Sequence, residues 1–171
     1  MRYFIRSLPM IIGLLAALAC NNPFAPGEAE NGEGDAPLTD QATPDKVLQN
    51  FQYAYTFKDS LVYSELLDSA FIFISENFNV TPPEPIVWGR DQELKTTGRM
   101  FRFFNTLDLT WGNRPLRDPS PASTDTSYTI TFTLTLDGGS NIPALIGVVI
   151  FDFVKRDGKW RISRWKDEIP G

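Results

Sequence analysis

Residues 129–165 read TITFTLTLDGGSNIPALIGVVIFDFVKRDGKWRISRW, and this stretch decides the fold class. Ile130, Phe132, Leu134 and Leu136 alternate with Thr129, Thr131, Thr133 and Thr135. Successive side chains of a strand point to opposite faces, so period two predicts one core face and one wetter face. Asp137-Gly138-Gly139 predicts a turn. Ala144–Val154 predicts a long strand, apolar on both faces through Leu145, Ile146, Val148, Val149, Ile150 and Phe151. Asp157-Gly158 is a tight hairpin signal, because both residues tolerate positive φ. The last strand is predicted over Lys159–Lys166, with Trp160, Ile162 and Arg164 on one face and Arg161, Ser163 and Trp165 on the other. Nothing helical fits between these three strands, which predicts an antiparallel meander.

Upstream, the pattern turns helical. Thr43 can cap a helix and Pro44 suits its first turn, where the missing N–H is no loss. Val47, Leu48, Phe51, Ala54 and Tyr55 follow as one apolar stripe. Asp59 and Ser60 interrupt it and open a second short helix carrying Leu61, Val62, Tyr63, Leu66 and Leu67. Phe71–Ile74 predicts a buried strand. Pro82-Pro83-Glu84-Pro85 predicts a loop that Ile86–Gly89 closes, and Arg90–Glu93 opens a third helix. That helix places Leu94, Gly98, Phe101 and Asn105 on one line, with Thr97, Met100 and Phe104 near it. Leu107–Trp111 begins the sheet, and Arg114–Asp125 reads as loop. Helices first and strands last predict an α+β domain over residues 43–171, its helices covering one sheet face.

Composition excludes several functions. The chain has 171 residues, no His and one Cys. Without His there is no Ser-His-Asp triad and no His-ligated metal. One Cys allows no intrachain disulfide and no Cys-rich zinc site. No Gly-rich phosphate loop is present, because Gly138-Gly139 does not open a helix. The expectation is therefore no metal and no cofactor. Net charge is −5. That balance argues against a nucleic acid partner, which needs a basic face. Thirteen Phe, five Tyr and four Trp can fill a real core.

The first 42 residues differ in kind from the rest. Arg2 and Arg6 precede an apolar run from Leu8 to Ala19, and Ala17-Leu18-Ala19 leads into Cys20. This is the layout of an export signal over residues 1–19. Residues 20–42 are rich in Gly, Pro, Asn and acid, which predicts a flexible acidic tether. Ala17-Leu18-Ala19-Cys20 resembles the lipobox of bacterial lipoproteins. That resemblance implies an acylated Cys20, a lipid anchor in a membrane and a cell-envelope location. Asn21, where an Asp would resemble an inner-membrane retention signal, favours the outer membrane, with the domain facing the periplasm or the cell surface.

The domain resembles the nuclear-transport-factor-2-like superfamily, also called SnoaL-like or cystatin-like. The segments that carry this are Thr43-Pro44 with Val47, Phe51, Ala54 and Asp59; Leu66-Leu67 with Phe71 and Phe73; and Phe151-Asp152-Phe153 through Trp160-Arg161-Ile162 to Trp165. The resemblance implies a curved antiparallel sheet wrapped around the N-terminal helices as a cone with a pocket. Tyr55, Trp88, Phe101, Phe104 and Trp165 are the candidate pocket lining, and each also reads as ordinary core. The main expectation is a non-enzymatic envelope domain that binds a small apolar ligand or an envelope protein, with a homodimer through the sheet as a further expectation. The alternative is an isomerase, dehydratase or cyclase-like enzyme. Its candidate acid–base groups are Tyr53, Tyr55, Tyr63, Asp108 and Asp152, since a buried carboxylate can act as base and a Tyr hydroxyl can donate to an oxyanion.

Overall fold

A computed structural model of the chain describes residues 38–113, 119–139 and 144–168. The expected export signal, Cys20, the expected tether up to residue 37, Arg114 and Arg117 lie outside the described residues. Among the described residues three α-helices and six strands follow in the order α1 (Pro44–Phe57), α2 (Ser60–Leu66), β1 (Leu67–Asn77), β2 (Glu84–Gly89), α3 (Arg90–Phe103), β3 (Leu107–Trp111), β4 (Asp125–Leu136), β5 (Leu145–Arg156) and β6 (Lys159–Glu168).

Local chemistry sets the helix ends. The Thr43 side chain accepts from the Lys46 N–H at the start of α1, and Pro44 sits in its first turn. At the other end Lys58 adopts a left-handed conformation with φ 54°. Asp59 then caps α2 by accepting from the N–H groups of Leu61 and Val62. Thr39 and Gln41 are tied to this region as well. Asn50 Oδ1 accepts from the Thr39 N–H, and the buried Gln41 side chain donates to the carbonyl of Trp160.

The sheet runs β2-β1-β6-β5-β4-β3. This corrects the expected antiparallel cone. The class is α+β, but the sheet is mixed, because β1 and β6 pair in parallel with Phe73 opposite Trp165. It is also open, with β2 and β3 at its edges and no pairing between them among the described residues. The physical reason is connectivity. The meander β3-β4-β5-β6 is antiparallel as its hairpin signals require. The early strand β1 then adds to the free edge of β6, and α3 with the meander serves as the long connection that a parallel pair needs.

Two strands differ from expectation in detail. Residues 84–85 belong to strand β2, not to a loop, paired antiparallel to β1 from Asn77↔Glu84 to Ile72↔Gly89. Pro85 is tolerated because β2 is an edge strand. In β6, Asp152 pairs with Arg164 and Phe153 with Ile162, so Ser163 is the extra residue of a β-bulge. A bulge shifts the side-chain alternation by one. Trp160, Ile162 and Trp165 therefore all face the helices, whereas strict alternation separates Ile162 from Trp165.

The core lies between α1 and the inner sheet face. Val47, Leu48, Phe51 and Ala54 are fully buried against Val149, Phe151, Phe153 and Ile162. Phe51 is its centre, with ring centroids of Tyr55, Tyr63, Trp111, Trp165 and Phe151 at 4.8–5.8 Å. Removing such a ring costs about 3–5 kcal/mol. The outer sheet face is more open, and Ile146 on β5 is 76 % exposed.

Candidate functional site

A cavity of about 240 Å³ lies between α1, α3 and the inner face of the sheet. Its walls are mostly apolar and rich in rings, among them Phe51, Phe73, Trp88, Trp111, Phe132 and Trp165. Trp88 lies flat on Phe73 at 4.1 Å, and Trp165 meets Phe73 edge-on at 5.6 Å. Gly147, opposite Phe132 in the β4–β5 pairing, makes space for that wall. A Cβ there would sit 2.7 Å from the Phe132 ring.

Two carboxylates enter this apolar space, Glu93 from α3 and Asp167 from β6. Glu93 is 3 % exposed. Its Oε1 accepts from the Tyr63 hydroxyl at 2.7 Å and from the Thr97 hydroxyl at 2.8 Å. Its Oε2 accepts from the Trp88 indole N–H at 2.8 Å. Each carboxylate oxygen has two acceptor positions. Oε1 is therefore full, and Oε2 keeps one lone pair among the described contacts. Tyr55 lies against the same network. Burial, and then the Glu93 charge, pushes its phenol well above the ordinary range. Burial does the same for Tyr63, reinforced by Tyr55 and Glu93. Both phenols stay neutral donors.

Asp167 accepts from the Trp165 indole N–H at 2.7 Å. Burial pushes its carboxyl above the ordinary range, hydrogen bonds from Trp165 and Ser75 oppose this, and the Glu93 charge adds to the rise. The two acids thus sense each other across one cavity. Burial first, and then the Glu93 charge, favours the neutral form of Asp167 over what an exposed carboxyl would show. That arrangement can give a proton at one point and take one at another.

Tyr55, Trp88 and Trp165 stand in the cavity wall. Phe101 is buried behind it, edge-on to Tyr55 at 5.3 Å. Phe104 is half-buried at the end of α3 and packs on Phe103. Among the other acid–base candidates only Tyr63 touches the site, through Glu93. Tyr53 packs on Phe57. Asp108 is exposed on β3, and Asp152 pairs with Arg164 at 2.8 Å.

Sequence reasoning missed Glu93 and Asp167. Glu93 reads as one of four polar residues opening a helix. Yet Glu93, Thr97, Met100 and Phe101 fall at i, i+4, i+7 and i+8, one helix face. A carboxylate on an apolar stripe was the available signal. Asp167 reads as a surface charge until the bulge at Ser163 is known. It then follows Trp165 by two residues and shares its face.

No protein-family model and no curated protein matches the chain. Solved structures do match its fold. One, from Novosphingobium aromaticivorans and described provisionally as a scytalone dehydratase, is 18% identical, with a TM-score of 0.59 over 74% of this chain and 81% of that one. A cystatin-like protein of unknown function from Nostoc punctiforme is 14% identical, with a TM-score of 0.56 over 79% of this chain and 96% of that one. A nuclear-transport-factor-2-like protein from Shewanella baltica is 11% identical, with a TM-score of 0.52 over 74% and 91%. At these identities the likeness is one of fold. The chain has the nuclear-transport-factor-2-like, cystatin-like fold.

Proposed function

We propose that the protein takes a small, largely apolar alcohol into this cavity and performs acid–base chemistry on it, in the class of a dehydration or isomerisation. One observation carries the reading. A buried Glu93 with a free lone pair and an Asp167 held toward its protonated form line the same aromatic cavity. For a dehydration the neutral form of Asp167, which burial favours, gives its proton to the leaving hydroxyl, and the C–O bond breaks to release water. Glu93 takes a proton from the neighbouring carbon, and that C–H electron pair closes the double bond. Glu93 then loses its proton to solvent and Asp167 regains one. The provisional description of one structural neighbour as a dehydratase is an analogy of the same class.

The test is a panel of small aryl- and cycloalkyl-substituted alcohols. Alkene absorbance reports elimination, and deuterium uptake from D2O reports proton abstraction. Turnover is expected for part of the panel, with Glu93→Gln and Asp167→Asn each lowering it about 100-fold or more. No turnover and no exchange across the panel, or rates indifferent to Glu93→Gln, would overturn the reading. A second reading is binding without turnover, favoured by the three donors that already satisfy Glu93. Saturable binding without product would identify it.

We also infer from residues 1–42 that the domain is tethered in a bacterial envelope by lipid on Cys20. Several acyl chains hold a protein stably where one is marginal. Mass spectrometry of the membrane fraction is expected to find residues 1–19 removed and Cys20 acylated. An intact leader with a free thiol would overturn it.

A further inference from the structure

The lining of the cavity has a sign. Both of its charged groups among the described residues, Glu93 and Asp167, are acids. The three indoles of the wall have their N–H groups engaged elsewhere: Trp88 to Glu93, Trp165 to Asp167 and Trp111 to the carbonyl of Leu48. What they offer a ligand is therefore ring face, which is the negative part of an aromatic quadrupole. Donating to a carboxylate also polarises an indole toward greater electron density. Of the hydroxyls in the lining, those of Tyr55, Thr96 and Thr97, the Thr97 group points at Glu93, as does that of Tyr63 behind the wall, which leaves Tyr55 and Thr96 as the hydroxyls an anion could meet. An anionic ligand would meet like charge and few donors. A cation would meet Trp faces and an Oε2 lone pair of a buried carboxylate.

We propose that this cavity selects positive charge, and that its preferred ligand is a small organic cation, an ammonium carried on an aromatic or cycloaliphatic body. The inference rests on the reading of the cavity as a ligand site and adds the charge of what it takes. Size is consistent with it. An apolar cavity of about 150 Å³ holds benzene, so 240 Å³ accommodates a ring with a short arm. The same lining favours a reacting molecule that gains cationic character as its hydroxyl leaves, which makes amines the inhibitor class for the proposed elimination.

Three near-isosteric probes test this on the whole chain at neutral pH: 2-phenylethylamine as its ammonium, 2-phenylethanol and 3-phenylpropionate. Calorimetry and tryptophan fluorescence read binding. The amine is expected to bind at least about tenfold more tightly than the alcohol, the range of a desolvated cation–π contact. The carboxylate is expected to bind most weakly. Glu93→Gln and Asp167→Asn are each expected to weaken the amine about tenfold and the alcohol much less. Should Glu93→Gln unfold the chain, Asp167→Asn carries the test, since Asp167 is only half-buried. Alcohol binding as tightly as the amine, or variants that affect both alike, would overturn charge selection and leave the ligand site standing. Tightest binding by the carboxylate would do the same. Binding by none of the three would overturn both.

Discussion

Replacing Glu93 by Gln tests whether a buried carboxylate organises this half of the molecule. The substitution keeps the shape and exchanges one acceptor oxygen for an NH2 group. With the amide oxygen at the Oε1 position, the Tyr63 and Thr97 hydroxyls keep their acceptor. The amide NH2 then faces the Trp88 indole N–H, which can only donate. One charge-assisted hydrogen bond, worth about 1.5–3 kcal/mol, is lost, and a half-buried donor is left facing another donor at about 1–3 kcal/mol. Removing a buried charge returns part of its desolvation cost, so the net loss is about 2–4 kcal/mol. Glu93→Ala removes all three acceptor contacts and should cost more. Urea unfolding followed by tryptophan fluorescence measures this. With a urea slope of about 1–3 kcal/mol/M, the midpoint of Glu93→Gln should fall by about 1–2 M. An unchanged or raised midpoint would refute the argument, because it would mean that Trp88 does not depend on an acceptor at Glu93.

Three further outcomes follow from the same geometry. Asp167 is held above the ordinary carboxylate range by burial. A raised native value gives stability that is complete at low pH and lost as pH rises through that value. Thermal melts of Asp167→Asn should therefore gain on the unsubstituted chain as pH is taken from about 4 to 7, and parallel profiles would contradict this. Gly147→Ala places a methyl against the far end of the Phe132 ring. The ring should yield into the cavity, with a stability loss of about 1 kcal/mol, the low end for an added methyl, and weakened binding of 2-phenylethanol, read by titration calorimetry. Arg156→Ala strips Asp68, whose side chain is 2 % exposed, of a partner at 2.8 Å. Arg156 itself is 56 % exposed and screened, so the expected loss in denaturant midpoint corresponds to about 1–3 kcal/mol.

Elements whose signals are local were legible. Thr43-Pro44 and Asp59 mark helix starts because capping is decided by neighbouring N–H groups. The threonine alternation and Asp157-Gly158 mark strands and a hairpin for the same reason. What involved distant partners was not legible. The parallel pairing of β1 with β6 joins residues some 90 positions apart and leaves no local trace. Pro85 reads as loop because only the sheet order reveals that its strand is an edge. The bulge at Ser163 is set by pairing with β5, and it alone turns Trp165 and Asp167 inward. The aromatic wall was half visible, since large rings in a small domain are buried whatever their role. Tyr55, Trp88 and Trp165 line the cavity, whereas Phe101 packs behind it. The two acids were hidden because a charged residue reads as solvated until its partners are known, and the partners of Glu93 come from three separate elements.

The most direct measurement is a crystal structure of the chain soaked with 2-phenylethanol. The account predicts its ring between the Trp88 and Trp165 faces, with its hydroxyl within hydrogen-bond distance of Glu93 Oε2 or the Asp167 carboxyl. A cavity closed by its own side chains, or the alcohol bound elsewhere with that space empty, would contradict it.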